Sequence, residues 1–269
     1  MGPDMNYYIL YNGGKIFYTD AGEGETVVLL HGYLESSEIW TGFSKRLSEK
    51  FRVIAVDLPG HGNSTVYSDL HSMEFMARAV RGLFGSLNIN KAILVGHSLG
   101  GYVTLAFAEL FPDLLKGYCL FHSHPFADSP ETLTKREREI KIVMSGKKYL
   151  IYSENIQAMF ASPNLSTFSE AVSRSNDIAS GIGDEGIIAA LKGMMSRPSR
   201  VGVMEAGKIP LLWILGKLDS HISYDAVQSR VRLPSNAKLI ILENSGHMGF
   251  VEEEDRSVQI LTEFINEVS

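Results

Sequence analysis

The chain has 269 residues, enough for one large domain with a buried core, or for a core with a small insertion. Hydrophobic residues make up 45% and charged residues 21%, the balance of an ordinary soluble globular protein. Asp and Glu (31) outnumber Lys and Arg (25), so the formal net charge is −6. This charge excludes the basic surface by which a protein binds nucleic acid.

The chain has a single cysteine, Cys119, so it forms no internal disulfide and needs no oxidising compartment. It contains no run of 18 apolar residues, which predicts that nothing spans a membrane. The first residues lack the basic and then apolar pattern of a secretory signal. We therefore expect a cytoplasmic protein; the sequence leaves the oligomeric state open.

The chain opens with two runs rich in Tyr, Ile and Phe, at 6–11 and 15–19. Asn12-Gly13-Gly14 between them predicts a β-hairpin. Apolar runs rich in β-branched residues then recur, which is typical of strands covered on both faces of a parallel sheet. These runs are 26–30, 52–56, 91–95, 117–121, 210–215 and 238–242.

Helical patterns lie between the predicted strands. Apolar residues recur at helical spacing over 72–87 and 99–111, and Pro112 ends the second pattern. The segment 251–268 begins with acidic residues, which favour a helix N-terminus. Alternation of strands and helices predicts the α/β class, with a doubly wound, mostly parallel sheet.

One region departs from this alternation, from residue 122 to residue 208. It contains no convincing strand, and about 80 residues are too many for a structureless loop in a compact domain. We interpret 122–208 as a helical cap inserted into a core formed by 1–121 and 209–269. Its predicted helices are 132–144, 149–160, 167–178 and 185–195.

The strongest local motif is Gly96-His97-Ser98-Leu99-Gly100-Gly101, which follows a predicted strand and opens a predicted helix. This is the context of the Gly-x-Ser-x-Gly nucleophile elbow, a turn so tight that only very small side chains fit on either side of the serine. The helix that begins at Leu99 directs the positive end of its dipole at a developing oxyanion. We predict Ser98 as the nucleophile.

A serine hydroxyl needs a base, and the best candidate is His247 in the loop after the last predicted strand. The imidazole in turn needs an acceptor, for which Asp219 follows strand 210–215. Both lie at the sheet edge where the elbow lies, and the order Ser98, Asp219, His247 is the order this fold uses. Asp225 is a weaker rival, since it falls in a predicted helix.

An oxyanion hole requires two backbone N–H donors. One is expected from Leu99, directly after the nucleophile. The other is expected from Tyr33, in the loop after strand 26–30. Gly32 allows the backbone to come close, and His31 is expected to brace the loop.

These motifs together resemble the α/β-hydrolase superfamily, in its cap-bearing esterase, lipase and haloperoxidase-like branch. The matching segments, in chain order, are His31-Gly32, Asp57-Leu58-Pro59-Gly60-His61-Gly62-Asn63-Ser64, the elbow 96–101, Gly216-Lys217-Leu218-Asp219 and Ser245-Gly246-His247. The resemblance implies about eight strands and a Ser-His-Asp triad. Ser98 disfavours the branches with an aspartate nucleophile, and Tyr33-Leu34 departs from the oxyanion loop of proline iminopeptidases.

Several further residues lie near the expected site. His97, His122 and His124 are candidate substrate contacts, although a hydrogen-bonded hinge would equally explain His122 and His124. The charged run 135–139 is expected to form a solvated helix face. None of the eight histidines shows a metal-ligand spacing, so we expect neither a metal nor a cofactor.

The predicted reaction is two-step acyl transfer from a small ester or other acyl substrate, through an acyl-enzyme. Two alternatives stay open at this point. The same triad serves lyases and carbon–carbon bond hydrolases, and His31-Gly32-Tyr33-Leu34 followed by Trp40 loosely resembles the menaquinone-pathway lyase of this fold. Other members of the superfamily are small-molecule receptors with slow turnover. The substrate is expected to be a small molecule.

Overall fold

A computed structural model describes residues 7–269 of the chain and contains one eight-stranded sheet with the spatial order β1-β2-β4-β3-β5-β6-β7-β8. The strands are β1 Tyr7–Tyr11, β2 Gly14–Ala21, β3 Thr26–Leu30, β4 Arg52–Val56, β5 Ala92–His97, β6 Leu115–Phe121, β7 Leu211–Gly216 and β8 Ala237–Leu242. β1 and β2 pair antiparallel, as do β2 and β4, and all other pairs are parallel. The predicted α/β class and mostly parallel sheet are confirmed.

The predicted hairpin joins the first two strands. Asn12 and Gly13 adopt φ values of 47° and 80°, so both central residues of the turn are left-handed, as a two-residue type I′ turn requires. Tyr11 then pairs with Gly14 across the turn. Asn6, which was expected to begin the first strand, lies outside the described residues.

Eleven helices are observed in the described part of the chain. They are α1 Thr41–Leu47, α2 Met73–Ser86, α3 Leu99–Leu110, α4 Pro130–Met144, α5 Tyr149–Met159, α6 Ser169–Gly181, α7 Asp184–Ser196, α8 Val201–Glu205, α9 Tyr224–Gln228, α10 Gly249–Glu252 and α11 Glu254–Val268.

The sheet order reverses at β3, because β4 lies on one side of it and β5 on the other. Right-handed crossovers then place α1 and α2 on opposite faces, and α1 packs with α11 while α2 packs with α3.

The helices differ from the predicted ones at a few places. The single helix expected over 251–268 is two helices, because Glu253 leaves the helical region with φ −129° and ψ 53°. The short helices α1 and α8 were not predicted, since five to seven residues cannot display a helical period, whereas α9 contains Asp225, which was expected to lie in a helix.

Between β6 and β7 the described chain forms five helices and a 3₁₀ turn at Ser162–Asn164, with no strand. All four helices predicted in this region are found, with ends shifted by at most three residues. Ser129 caps α4 by accepting a hydrogen bond from the Thr132 amide, and Pro130 occupies the first turn. Among residues 7–269, no helix is long and apolar enough to cross a membrane.

Candidate active site

The elbow at the end of β5 holds Ser98 in a strained conformation. Its φ of 48° and ψ of −111° are rare for a residue with a side chain. The strain persists because the surrounding chain fixes the backbone: the Ser98 amide donates to the Phe121 carbonyl, and the Ser98 carbonyl accepts from Gly101 N–H and Ser123 Oγ. The hydroxyl is thereby held clear of the sheet at the N-terminus of α3.

The glycines around Ser98 are required by close contacts. A Cβ at Gly96 would lie 2.2 Å from the Gly100 carbonyl oxygen, and one at Gly101 would lie 2.3 Å from Ser123 Oγ. These distances leave no room for a methyl group without moving the backbone. The sequence prediction that only very small residues fit here is confirmed.

His247 and Asp219 meet at the same edge of the sheet. His247 follows β8, Asp219 follows β7, and the His247 Nδ1–H donates to Asp219 Oδ2 over 2.7 Å. The other carboxylate oxygen accepts the amides of His221 and Ile222, which fixes the orientation of the acid. The second ring nitrogen of His247, Nε2, is left free to receive a proton.

Burial and neighbouring charge set the protonation of this pair. Burial would raise the pKa of Asp219, but the facing imidazoles of His247 and His122 outweigh it and hold that pKa well below its usual range. Burial lowers the pKa of His247, against the opposing effect of Asp219. At neutral pH the pair is therefore an ionised acid and a neutral imidazole, the state in which a general base acts.

His122 lies beneath the pair, and its surroundings define its tautomer. The Gly249 amide donates to His122 Nε2, so the ring proton sits on Nδ1, 3.6 Å from Asp219 Oδ2. His122, Asp219 and His247 bring one possible metal-ligating atom each within 4.8 Å of one another. The hydrogen-bonding pattern accounts for this cluster, because both Nδ1 atoms carry protons directed at the acid.

The structure also places His97 beneath the site. Its Nδ1 lies 2.9 Å from Glu35 Oε2, and its Nε2 donates to the His247 carbonyl over 2.9 Å. His97 and His122 are fully buried and do not line the pocket, so these two expected substrate contacts are not made. Instead, the His97 ring holds the His247 carbonyl, and the His122 ring accepts the Gly249 amide.

Glu35 links the His97 ring to the predicted oxyanion loop. Its Oε2 also accepts the Gly32 amide, and the other oxygen has no partner within the described chain. A Cβ at Gly32 would lie 2.7 Å from this carboxylate, which explains the glycine. His31 braces the same loop as predicted, because its Nε2 accepts the Leu58 amide and its Nδ1 donates to the Gly32 carbonyl.

The two predicted oxyanion donors are both available. Across residues 7–269, the backbone amides of Tyr33 and Leu99 have no hydrogen-bond acceptor. Tyr33 lines the pocket beside Ser98, and Leu99 begins α3. An amide without an acceptor at such a position is suited to bind an oxyanion.

Ser98 and His247 open into one cavity of about 420 Å³. No hydrogen bond joins Ser98 Oγ to the His247 ring in the part of the chain that the structure describes. Such bonds are often long in an unliganded enzyme and shorten when substrate binds. His124, the third expected substrate contact, lines the cavity and hydrogen-bonds to the Tyr102 hydroxyl at 3.2 Å.

Three residues of the charged run 135–139 line this cavity. Lys135, Arg136 and Glu139 face it from α4, and Glu139 is only 7% exposed, so the prediction of a wholly solvated helix face was wrong. Glu139 follows Lys135 by four residues and Arg136 by three, and residues at these spacings share a helix face. The sequence therefore contained a signal that these side chains could line one cavity wall. His221 was also missed; it lines the cavity with its ring 5.2 Å from that of His247.

Comparisons with known proteins agree with this geometry. The family model described as the alpha/beta hydrolase fold matches residues 25–141. A thermophilic esterase from Thermogutta terrifontis, solved with malate bound, superposes with a TM-score of 0.93 at 28% identity over 98% of this chain and 99% of that one. The chain has the α/β-hydrolase fold.

Two groups of curated relatives extend this comparison. A putative 2-succinyl-6-hydroxy-2,4-cyclohexadiene-1-carboxylate synthase of Bacillus subtilis is 28% identical over 93% of the chain and 95% of its own length. Uncharacterized proteins of Mycobacterium tuberculosis and Mycobacterium bovis are 41% identical over 115 residues, 43% of this chain. That match spans only 34% of the length of the mycobacterial proteins.

Proposed function

We propose that this protein is a serine hydrolase that cleaves a small ester, or another acyl compound, through an acyl-enzyme. One observation carries the proposal: Ser98, held at a strained elbow, opens into the same cavity as His247, whose Nδ1 is bonded to the buried Asp219. Similarity to a thermophilic esterase over nearly the whole chain supports the ester class.

In the proposed mechanism, Ser98 Oγ attacks the acyl carbon while His247 Nε2 takes its proton. Asp219 stabilises the resulting imidazolium, and the Tyr33 and Leu99 amides bind the oxyanion. His247 then gives the proton to the leaving alcohol. A water molecule, deprotonated by the same imidazole, hydrolyses the acyl-enzyme and restores Ser98.

We further propose that 122–208 acts as a helical cap over a core formed by 1–121 and 209–269. Residues of this segment, among them His124, Met159 and Met194, line the cavity opposite Ser98 and His247. The cap would therefore set the shape and polarity of the substrate pocket while the core supplies the chemistry. The cytoplasmic location stays a prediction.

A fluorophosphonate probe followed by peptide mapping tests the nucleophile. Wild-type protein should be labelled on Ser98, and Ser98→Ala should lose the label together with turnover of p-nitrophenyl esters of graded chain length. Ser223→Ala is the matched control, since Ser223 lines the same cavity and its side chain caps no helix. Normal turnover by Ser98→Ala would refute the proposal.

A lyase or carbon–carbon bond hydrolase on the same triad is the second candidate. The observation that favours it is the similarity to the Bacillus subtilis synthase over 93% of the chain. Product analysis separates the candidates: an ester hydrolase releases an alcohol and an acid that contains oxygen from water, a carbon–carbon bond hydrolase releases that acid with a protonated carbon leaving group and no alcohol, and a lyase incorporates no water. Tight ligand binding with very slow turnover would instead indicate the receptor alternative.

A further inference from the structure

The cap wall of the cavity holds a cluster of positive charge around Asp128. Arg136 Nε donates to Asp128 Oδ2 over 2.6 Å, and Arg197 Nη1 forms an ion pair with Oδ1 at 2.7 Å. Asp128 is 2% exposed at its side chain, so both ion pairs are shielded from water. One carboxylate faces two guanidinium groups and leaves one positive charge uncompensated.

A second cation, Arg230, enters the cavity from the core side. Its guanidinium stacks on the Phe126 ring at 3.9 Å, a cation–π contact that fixes its position. Within the described chain, Arg230 forms no salt bridge with a carboxylate. Its hydrogen-bond donors are therefore available to a ligand.

Lys135 is the third cation of the cavity and is also poorly compensated. Its Nζ lies 3.9 Å from Glu139 Oε1, at the outer limit of an ion pair. Burial raises the pKa of Glu139 from its usual value, against the opposing effects of Lys135 and Arg136. In total, three cationic side chains (Lys135, Arg136 and Arg230) and two acidic ones (Asp128 and Glu139) line the cavity, and Arg197 adds a fourth positive charge against Asp128, in a chain whose net charge is −6.

The histidine at the centre of this cluster is neutral. Burial, together with the positive charge of Arg197, lowers the pKa of His124 to about 3. Its Nε2 is bonded to the Tyr102 hydroxyl and its Nδ1 accepts the Phe126 amide. His124 therefore adds a polar, uncharged surface between the cations and the acids.

We propose that Arg230, Lys135 and Arg136 form a carboxylate-binding subsite, so that the preferred substrate is an ester bearing a second, anionic carboxylate group. This inference rests on the proposed function, because it places the subsite in the cavity of Ser98. A carboxylate there forms charge-assisted hydrogen bonds with Arg230, which pairs with no acid in the described chain, and with Lys135 and Arg136, whose charges Glu139 and Asp128 compensate only in part. The field of the cluster would also concentrate anionic substrate at the cavity mouth.

The test compares anionic and neutral esters of equal size. p-Nitrophenyl hydrogen glutarate against p-nitrophenyl pentanoate places the charge on the acyl side, and 4-acetoxybenzoate against 4-methylphenyl acetate places it on the alcohol side. The ratio of kcat/KM, anionic to neutral, should fall about two- to five-fold in Arg230→Gln and in Lys135→Gln, as loss of a partly exposed ion pair predicts. The pair that responds identifies the side that carries the carboxylate.

Two variants serve as matched controls. Arg232→Gln and Lys141→Gln remove the same charges from exposed positions on the same segments, outside the cavity. Both should leave the ratio unchanged, which separates a local subsite from a general loss of positive charge. A ratio that is equal in wild type, Arg230→Gln and Lys135→Gln for both ester pairs would overturn the subsite.

A binding measurement keeps this inference distinct from the proposed function. Calorimetry on Ser98→Ala should show binding of glutarate but not of the neutral glutaramide, and Arg230→Gln in that background should abolish the difference. If no ester is cleaved and Ser98 is not labelled, the hydrolase proposal fails while glutarate binding still decides the subsite. Equal affinity for glutarate and glutaramide would refute the subsite even in an active hydrolase.

Discussion

Glu35 provides the sharpest test of how the site is held together. Its carboxylate is 1% exposed and joins the Gly32 amide of the oxyanion loop to the His97 ring, whose other nitrogen holds the His247 carbonyl. Burial would raise the pKa of Glu35, but the facing His97 and Gly32 amide lower it overall, so the group is ionised at neutral pH. One buried anion thus positions both the loop of the proposed oxyanion donor and the proposed base.

The change Glu35→Gln keeps the shape and removes the charge. The Gln amide nitrogen would replace Oε1, which has no partner in the described chain, and an unsatisfied buried donor costs about 1–3 kcal/mol. Replacing a charged acceptor of His97 by a neutral one costs about 1 kcal/mol more. We expect a loss of about 2–4 kcal/mol in the free energy of unfolding, and more for Glu35→Ala, which leaves the buried His97 without its partner.

Urea denaturation measures the stability, and steady-state hydrolysis of a neutral p-nitrophenyl ester measures the chemistry. Loosening of the Gly32–Tyr33 backbone should lower kcat by up to about 100-fold with a smaller change in KM, since an oxyanion donor acts on the transition state. Glu38→Gln is the control: it lies in the same segment, is exposed, and should change stability by no more than about 0.5 kcal/mol. Wild-type stability and kcat in Glu35→Gln would refute the positioning role.

Three further predictions follow from the site. Because burial lowers the pKa of His247 and the neutral ring is the base, kcat/KM should fall with acid through an apparent pKa below 6.5; a midpoint above 6.5 would contradict this. Asp219→Asn should lower kcat about 10⁴-fold with little change in the circular dichroism spectrum, because the amide favours the wrong tautomer of His247. Gly101→Ala should destabilise the protein in thermal melts, since its Cβ would lie 2.3 Å from Ser123 Oγ, whereas Gly202→Ala, with no atom within 4 Å of the new Cβ, should not.

The sheet was predictable from the sequence because each of its strands is a short apolar run bounded by turns. Every predicted strand is found within about two residues of its observed ends, and the Asn12-Gly13 turn fixes the hairpin. The candidate triad followed from position alone: Ser98, Asp219 and His247 each come directly after a parallel strand, and the carboxyl ends of such strands meet at one edge.

The supporting groups could not be predicted because their roles depend on partners that are distant in the chain. Glu35 precedes His97 by 62 residues, and nothing near Glu35 in the sequence indicates that its carboxylate is buried beneath a loop. His97 and His122 could not be placed either, since a histidine next to a strand end can face a pocket or the core. Only the packing of Gly249 and Glu35 against their rings decides this.

The charged run 135–139 on α4 could not be placed from the sequence either, and its placement matters more because it determines the charge of the cavity wall. Its helical spacing is equally typical of a solvated face and of a face covered by a neighbouring element. The deciding residue is Asp128, which lies just before α4. It forms ion pairs with Arg136 and Arg197, which come from opposite ends of the segment 122–208. Two arginines cannot be neutralised by that single acid, so the pairing that folds this wall also leaves it positive. On this reasoning the helical segment contributes to substrate charge preference together with Arg230 of the core, and exchange of the cavity-facing residues of α4 should alter that preference without moving Ser98.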